Sequence, residues 1–268
     1  MNARSLDPCL RDLLRLFELP DRKAVHFIGG GGKTTAMLAM AKALESAGRS
    51  AVISTSTRIE VPRGIPLLVG RLERLEPELV THPGPVLAVA ASYLEQNTKV
   101  RGFLPEELDR LQSLRPGATL LVEADGSAGR PVKAHAEYEP VLAPCADLVV
   151  AVVGIESLGK PIGDHTVHRS DLFCRRYGKT PGQVLGVQDL AALFVHPEGY
   201  LAKVPERCEV IVLVTGVFDA VRRDRVFALA EVMNRNRPLR PIHRLVMAEL
   251  LGPLPFAAGV GRAANRVP

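Results

Sequence analysis

A chain of 268 residues with 47% hydrophobic content is long enough for one large α/β domain with an ordinary core. Only 4% of residues are aromatic and none is Trp, which argues against stacking platforms for single-stranded nucleic acid; the mild net charge of +5, from 34 basic and 29 acidic residues, suits a phosphorylated ligand, an acidic partner or simply a solvated basic surface. No stretch reaches the roughly 20 apolar residues of a membrane span, and four widely separated cysteines without a C-x-x-C pair predict reduced thiols in a cytoplasmic protein, with neither a zinc ribbon nor a redox motif.

Leu6, Leu10, Leu13, Leu14 and Phe17 recur at helical spacing and predict an amphipathic helix over residues 5–19, ended by Pro20 and Asp21. Asp7, Arg11, Asp12 and Arg15 among these leucines argue against a secretory signal. A short apolar run, residues 24–28, follows with strand composition. Then come Gly29, Gly30, Gly31, Gly32, Lys33, Thr34 and Thr35, and a helical run to Ala47 that stops at Gly48. Strand, glycine loop, Lys-Thr and helix is the order of a phosphate-binding loop. Glycines let backbone N–H groups turn toward a polyphosphate without Cβ clashes, and the positive end of the helix dipole points at the same anion. Lys33 is expected to reach the β- and γ-phosphates, and the Thr34 hydroxyl to ligate Mg²⁺. Phe27 stands where G-x-x-x-x-G-K-[ST] has its first glycine, so the loop is similar to the compact variants found in metal-insertion GTPases and partitioning ATPases. The latter carry an extra lysine where this chain has Ile28, so a lysine donated across a dimer is not expected, and the oligomeric state stays open.

Residues 50–54 read as a second strand running into Thr55, Ser56, Thr57 and Arg58. Hydroxyls just beyond a strand end lie where open α/β sheets bind ligands, so Thr57 is a candidate sensor of magnesium or the γ-phosphate; turn-forming hydroxyls would look the same. Residues 67–69 and 86–90 are candidate short strands, and Pro105 with Glu106 and Glu107 opens a helix to Leu114. Residues 119–125 form an apolar strand ending in Glu123 and Asp125, the acidic half of a phosphate-loop site. Their i, i+2 spacing puts both carboxylates on one strand face, with Asp125 holding the metal and Glu123 orienting water. The Gly-rich segment 126–133 follows, with Arg130 and Lys133 as a γ-phosphate switch or a clamp on a second substrate.

Residues 147–154 are the clearest buried strand, their near-continuous β-branched run indicating a parallel sheet covered on both faces. His168 and Arg169 are candidates for an anion or partner contact, and Ser170 with Asp171 equally for a helix start; helices to Tyr177 and over 189–194 follow. Another apolar strand, 209–214, ends in Thr215, Gly216, Val217, Phe218 and Asp219. A guanine-reading [NT]-K-x-D is matched at Thr215 alone, with Asp219 one place late, so ATP and GTP both stay open as ligands. A helix to about Met233 and a last strand over 242–247 precede a Gly- and Pro-bearing tail. The alternation predicts an α/β fold: a doubly wound, mostly parallel sheet of P-loop NTPase type with helices on both faces. Residues 1–250 are read as a single P-loop NTPase-like domain with an N-terminal helix and insertions, and 251–268 as a partly disordered tail.

Taken together these segments resemble the YqeC family. The resemblance rests on the Gly-Gly-Gly-Gly-Lys-Thr-Thr run at 29–35 and Ser-Thr-Ser-Thr at 54–57. It rests further on Val-Glu-Ala-Asp-Gly-Ser at 122–127 with Arg130, Pro131 and Lys133, Glu139-Pro140, Gly159-Lys160-Pro161, Val167-His168-Arg169 and His196-Pro197-Glu198-Gly199. It implies a nucleotide-dependent accessory protein that matures selenium-dependent molybdenum hydroxylases. The resulting expectation is a Mg²⁺-dependent NTPase that uses Lys33, Glu123 and Asp125 and acts on a client hydroxylase, with no nucleic acid and no membrane as partner. Two alternatives stand beside it: a small-molecule kinase or nucleotidyltransferase whose acceptor meets Arg130, Lys133, His168 and Arg169, and a nucleotide-binding scaffold without catalysis.

Overall fold

The structure, a computed structural model, describes residues 7–238, 240–251 and 255–260. It is an α/β fold built on a large, mostly parallel sheet. The chain divides into two compact units: Met1–Phe27, Thr34–Gly126 and Val141–Leu148 form the first, and Ile28–Lys33, Ser127–Pro140 and Val149–Pro268 the second. Among the described residues no helix is long and apolar enough to cross a membrane.

The first unit opens with helix α1 (Pro8–Phe17). Asp7 caps it by accepting from the N–H groups of Cys9 at 2.9 Å and Leu10 at 3.3 Å, and Pro8 fills the first helical position, where its missing N–H costs nothing. Cys9, Leu13, Leu16 and Phe17 are its buried stripe; of the expected residues Leu13 and Phe17 lie in it, Leu10 and Leu14 are only partly buried, and positions 5 and 6 of the expected helix lie outside the described residues. Strand β1 (Ala24–Gly29) leads toward α2 (Lys33–Ser46) and β2 (Ser50–Thr55). Then follow β3 (Arg58–Glu60), β4 (Leu67–Val69), α3 (Leu72–Thr81), β5 (Val86–Ala90), β6 (Ser92–Leu94), β7 (Lys99–Arg101), α4 (Pro105–Leu114) and β8 (Ala118–Glu123). Within this unit the parallel order is β1-β8-β2-β5-β4. Every residue of β1 and β8 is buried, which is why both read as unbroken apolar runs.

The register brings the strand tips level: Phe27 and Thr55 both pair with Glu123. The hydroxyls at the end of β2 and just past it bind its neighbours. Ser54 donates to Val89 O at 2.9 Å, Thr55 to Glu123 O at 2.8 Å and Ser56 to Val141 O at 2.7 Å. Helix α3 and the small antiparallel sheet β3-β7-β6 were not expected from the sequence. Pro77 sits inside α3 and three-residue strands carry almost no alternation, so local pattern is weak there.

His26, in β1, is fully buried, and neither ring nitrogen has a hydrogen-bond partner. Desolvation lowers its pKa from 6.5 to about 3, so the fold holds it neutral. The unfolded chain therefore binds the extra proton below pH 6.5, and His26 makes stability fall progressively as the pH drops from about 6.5 toward 3. His168, also depressed, adds to the slope in the same sense. His26→Leu is expected to flatten this acid limb; urea unfolding of both proteins at pH 7.5 and 5 checks it, and an equal loss in wild type and variant would contradict it.

The second unit holds β9 (Val132–Lys133), β10 (Leu148–Gly154, from its second residue on), β11 (Val167–His168), α5 (Ser170–Tyr177), α6 (Val187–Val195), β12 (Glu209–Thr215), α7 (Ala220–Asn236), β13 (Arg244–Glu249) and β14 (Phe256–Gly259). Its larger strand order is β10-β12-β13-β14; β13 runs parallel to β12 and β14 antiparallel to β13. The tail expected to be partly disordered thus contributes an edge strand, Phe256–Gly259, while residues 252–254 and 261–268 lie outside the described residues. Glycines at 252 and 259 and Pro253 and Pro255 mask that strand in the sequence. Asp219, one place late for a base-reading aspartate, is the N-cap of α7 and accepts from Arg222 N–H at 2.7 Å.

Candidate functional site

The glycine loop belongs to the second unit and is held there by its backbone. Gly30 N–H donates to Val152 O at 3.0 Å and Gly31 N–H to Arg130 O at 2.9 Å. The Thr215 hydroxyl donates to Gly31 O. Three of these glycines have a steric reason to be there, a Cβ on Gly30 meeting Arg130 O at 2.7 Å. A Cβ on Gly29 would lie 2.3 Å from Val152 O, and one on Gly31 would lie 2.4 Å from Gly154 N; both residues also have positive φ, +94° and +82°. Glycine at 29, 30 and 31 is therefore what lets the loop lie flush against its neighbours in this unit.

Lys33 closes the loop. Its ammonium donates to Gly29 O at 2.5 Å, across the turn it terminates, and the residue is only 3% exposed. Lys33 is also the first residue of α2. The first N–H groups of a helix have no acceptor within it and carry its positive dipole end.

The peptide bond from Lys33 to Thr34 passes into the first unit. There the Thr34 hydroxyl donates to Glu123 Oε2 at 2.6 Å. β8 ends at Glu123, so Asp125 lies past the strand and the expected alternation of the two carboxylates on one strand face does not apply. Glu123 is the carboxylate that meets Thr34. Both acids are buried, Asp125 completely. Thr57 turns back on the block before it: its N–H donates to Thr55 Oγ1 at 3.0 Å, and the two hydroxyls are 3.2 Å apart.

A hydroxyl in contact with a carboxylate is a pair of hard oxygens, a donor set that would suit Mg²⁺.

The cations expected at a second substrate are already engaged. Lys133 is fully buried, with its ammonium 3.0 Å from Glu139 Oε1; Arg169 grips the same carboxylate with both terminal nitrogens, at 2.5 and 3.2 Å. Burial alone would raise the Glu139 pKa, but the Arg169 hydrogen bonds and the Lys133 charge hold it below the usual carboxylate range. Arg130 is committed to backbone oxygens of Asp164 and Ala128. His168 is half-buried; burial, then the charges of Lys133 and Arg169, depress its pKa, with Glu139 opposing and Lys33 adding to the depression. One residue went unnoticed in the sequence. Tyr200 stacks on His135 at 4.6 Å, its hydroxyl accepts from Lys133 N–H at 3.1 Å, and its ring abuts the space a Gly29 Cβ would need. It braces both the loop and the ion-pair cluster, and a lone tyrosine beside a Gly-Tyr turn carries no motif that would announce this.

A family model described as "YqeC protein" matches residues 25–171, the segment that runs from β1 through the loop, Glu123 and the ion-pair cluster. A protein of Escherichia coli K12 described as "Uncharacterized protein YqeC" is 34% identical over 188 residues, covering 69% of this chain and 72% of that relative.

Proposed function

The chain belongs to the YqeC family, and we propose that it is a Mg²⁺-dependent nucleoside triphosphatase that serves as an accessory factor in maturing a selenium-dependent molybdenum hydroxylase. The observation that carries the reading is a pair of adjacent side chains. Lys33 spans the glycine loop to Gly29 O, and its neighbour Thr34 gives its hydroxyl to Glu123. In this reading the amides at the start of α2 and the Lys33 ammonium take the β- and γ-phosphates. Thr34 and Glu123, with Asp125 nearby in sequence, would hold Mg²⁺, which supplies charge neutralisation at the phosphates. Lys33 leaves Gly29 O for phosphate oxygen, exchanging a neutral acceptor for an anionic one.

The transferase alternative is weaker, because Lys133 and Arg169 spend their charge on Glu139. Glu123→Gln is expected to cut phosphate release from Mg²⁺-triphosphate roughly a hundredfold while triphosphate affinity changes by only a few fold, since an amide still accepts from Thr34 but no longer supports the metal. A malachite-green phosphate assay beside equilibrium binding separates the two effects. Unchanged turnover in the variant would remove Glu123 from the chemistry.

A further inference from the structure

We propose that Glu156 selects guanine as the base of the bound nucleotide, a proposal that rests on the triphosphate reading of the glycine loop. Glu156 lies in the short turn Ile155–Ser157 immediately after β10. Its Oε2 is buried and has no hydrogen-bond partner. A buried acceptor left unmet is costly, and native proteins rarely keep one without a reason.

The surroundings are cleared for that carboxylate. A Cβ on Gly154 would lie 2.6 Å from both of its oxygens, and one on Gly216 would lie 2.7 Å from Oε2. Gly216 also has φ +72°. A Cβ at either position would crowd the acid, so the two glycines leave room for the carboxylate where it sits. The ends of β10 and β12 brace the phosphate loop: Thr215 donates to Gly31 O, and Gly31 packs on Gly154 with no room for a side chain. The carboxylate is thus built beside the loop, at the end of β12.

That strand end is where the sequence left a gap. Thr215 is followed by glycine in place of a lysine, and Phe218 stands where a base-reading aspartate would be. Asp219 is spent as the cap of α7. Glu156 delivers a carboxylate to the same place from the adjacent strand. Next to it, Arg222 donates to Gly216 O at 2.7 Å and lies over the Phe218 ring at 3.7 Å, leaving that ring, 63% exposed, as a plate on which a base can stack.

The chemistry of the edge selects the base. Guanine offers the N1–H and the 2-amino group side by side, two donors for one carboxylate. Adenine sets an acceptor, N1, beside its amino group, and a carboxylate repels it. Xanthine replaces the 2-amino group with a carbonyl, which a carboxylate rejects and an amide accepts.

The test compares GTP, ATP and xanthosine triphosphate, each with Mg²⁺, on the full chain by calorimetry, using wild type, Glu156→Gln and Lys33→Ala. Wild type is expected to bind GTP about ten- to a hundredfold more tightly than ATP. In Glu156→Gln that ratio is expected to collapse and xanthosine triphosphate binding to appear, a gain that misfolding cannot produce. A wild type that binds ATP as well as GTP, or a GTP preference that survives Glu156→Gln, overturns the assignment of Glu156 while leaving the loop intact. Failure of every nucleotide to bind, or binding indifferent to Lys33→Ala, overturns the triphosphate reading and this inference with it.

Discussion

Lys33→Ala is expected to weaken Mg²⁺-triphosphate binding by about a hundredfold or more. An ammonium that shares its hydrogens among phosphate oxygens makes charge-assisted bonds, each worth about 1.5–3 kcal/mol, and two of them reach that factor. In the structure the ammonium rests on Gly29 O at 2.5 Å, inside the loop it is to serve, so little conformational entropy remains to be lost on binding. The variant keeps the four glycines, the bonds from Gly30 and Gly31 N–H and the Thr215 tether, so its loop retains its shape. The decisive readout is ligand-induced stabilisation. Wild type should melt at a higher temperature with saturating nucleotide and Mg²⁺ than without, and Lys33→Ala should show no such shift from its own ligand-free melting temperature. A nucleotide shift of equal size in both proteins would place the ligand elsewhere.

The second large effect is structural. Glu139→Gln leaves the fully buried Lys133 and the partly buried Arg169 without their anion, and is expected to cost about 3–5 kcal/mol. For a chain of this size that is a fall of roughly 10 °C in melting temperature. Because an ion pair replaced whole by apolar groups is near neutral, Lys133→Met placed on Glu139→Gln should recover part of the loss, and a double-mutant cycle reads the coupling. The pH dependence has a definite sign. Glu139 titrates in the fold below its ordinary 4.5, so its contribution is complete above about pH 4.5 and disappears as the pH falls through the lower folded value. Wild type should therefore lose stability relative to Glu139→Gln only in that acid range. A difference between them that is constant from pH 7 to pH 3 would show that the carboxylate charge is not what holds the cluster.

What was legible in the sequence follows from the length scale of each signal. The strands at 67–69 and 86–90 and the helix from Pro105 to Leu114 appear with the bounds expected, because hydrophobic runs and a proline-acid helix start are local. The turn between β1 and α2 was legible because a strand-like apolar run, four glycines and a helical run follow one another directly. What stayed hidden depends on distant partners. That Glu123 and not Asp125 meets Thr34 turns on the strand ending at residue 123, a boundary that the apolar pattern overran by two. Lys133 and Arg169 looked like ligand cations because Glu139, their counterion, is separated from Arg169 by 30 residues. The β14 strand was hidden by glycine and proline, and Glu156 by having no motif around it except Gly154, two residues before it, and the distant Gly216.

The most direct measurement is a crystal structure of the full chain grown with Mg²⁺ and a non-hydrolysable triphosphate. The β- and γ-phosphates should lie on the amides that begin α2, with the Lys33 ammonium moved off Gly29 O onto phosphate oxygen and the Thr34 hydroxyl at the metal beside Glu123. Density for the triphosphate away from residues 29–35, with Lys33 still on Gly29 O, would contradict the account.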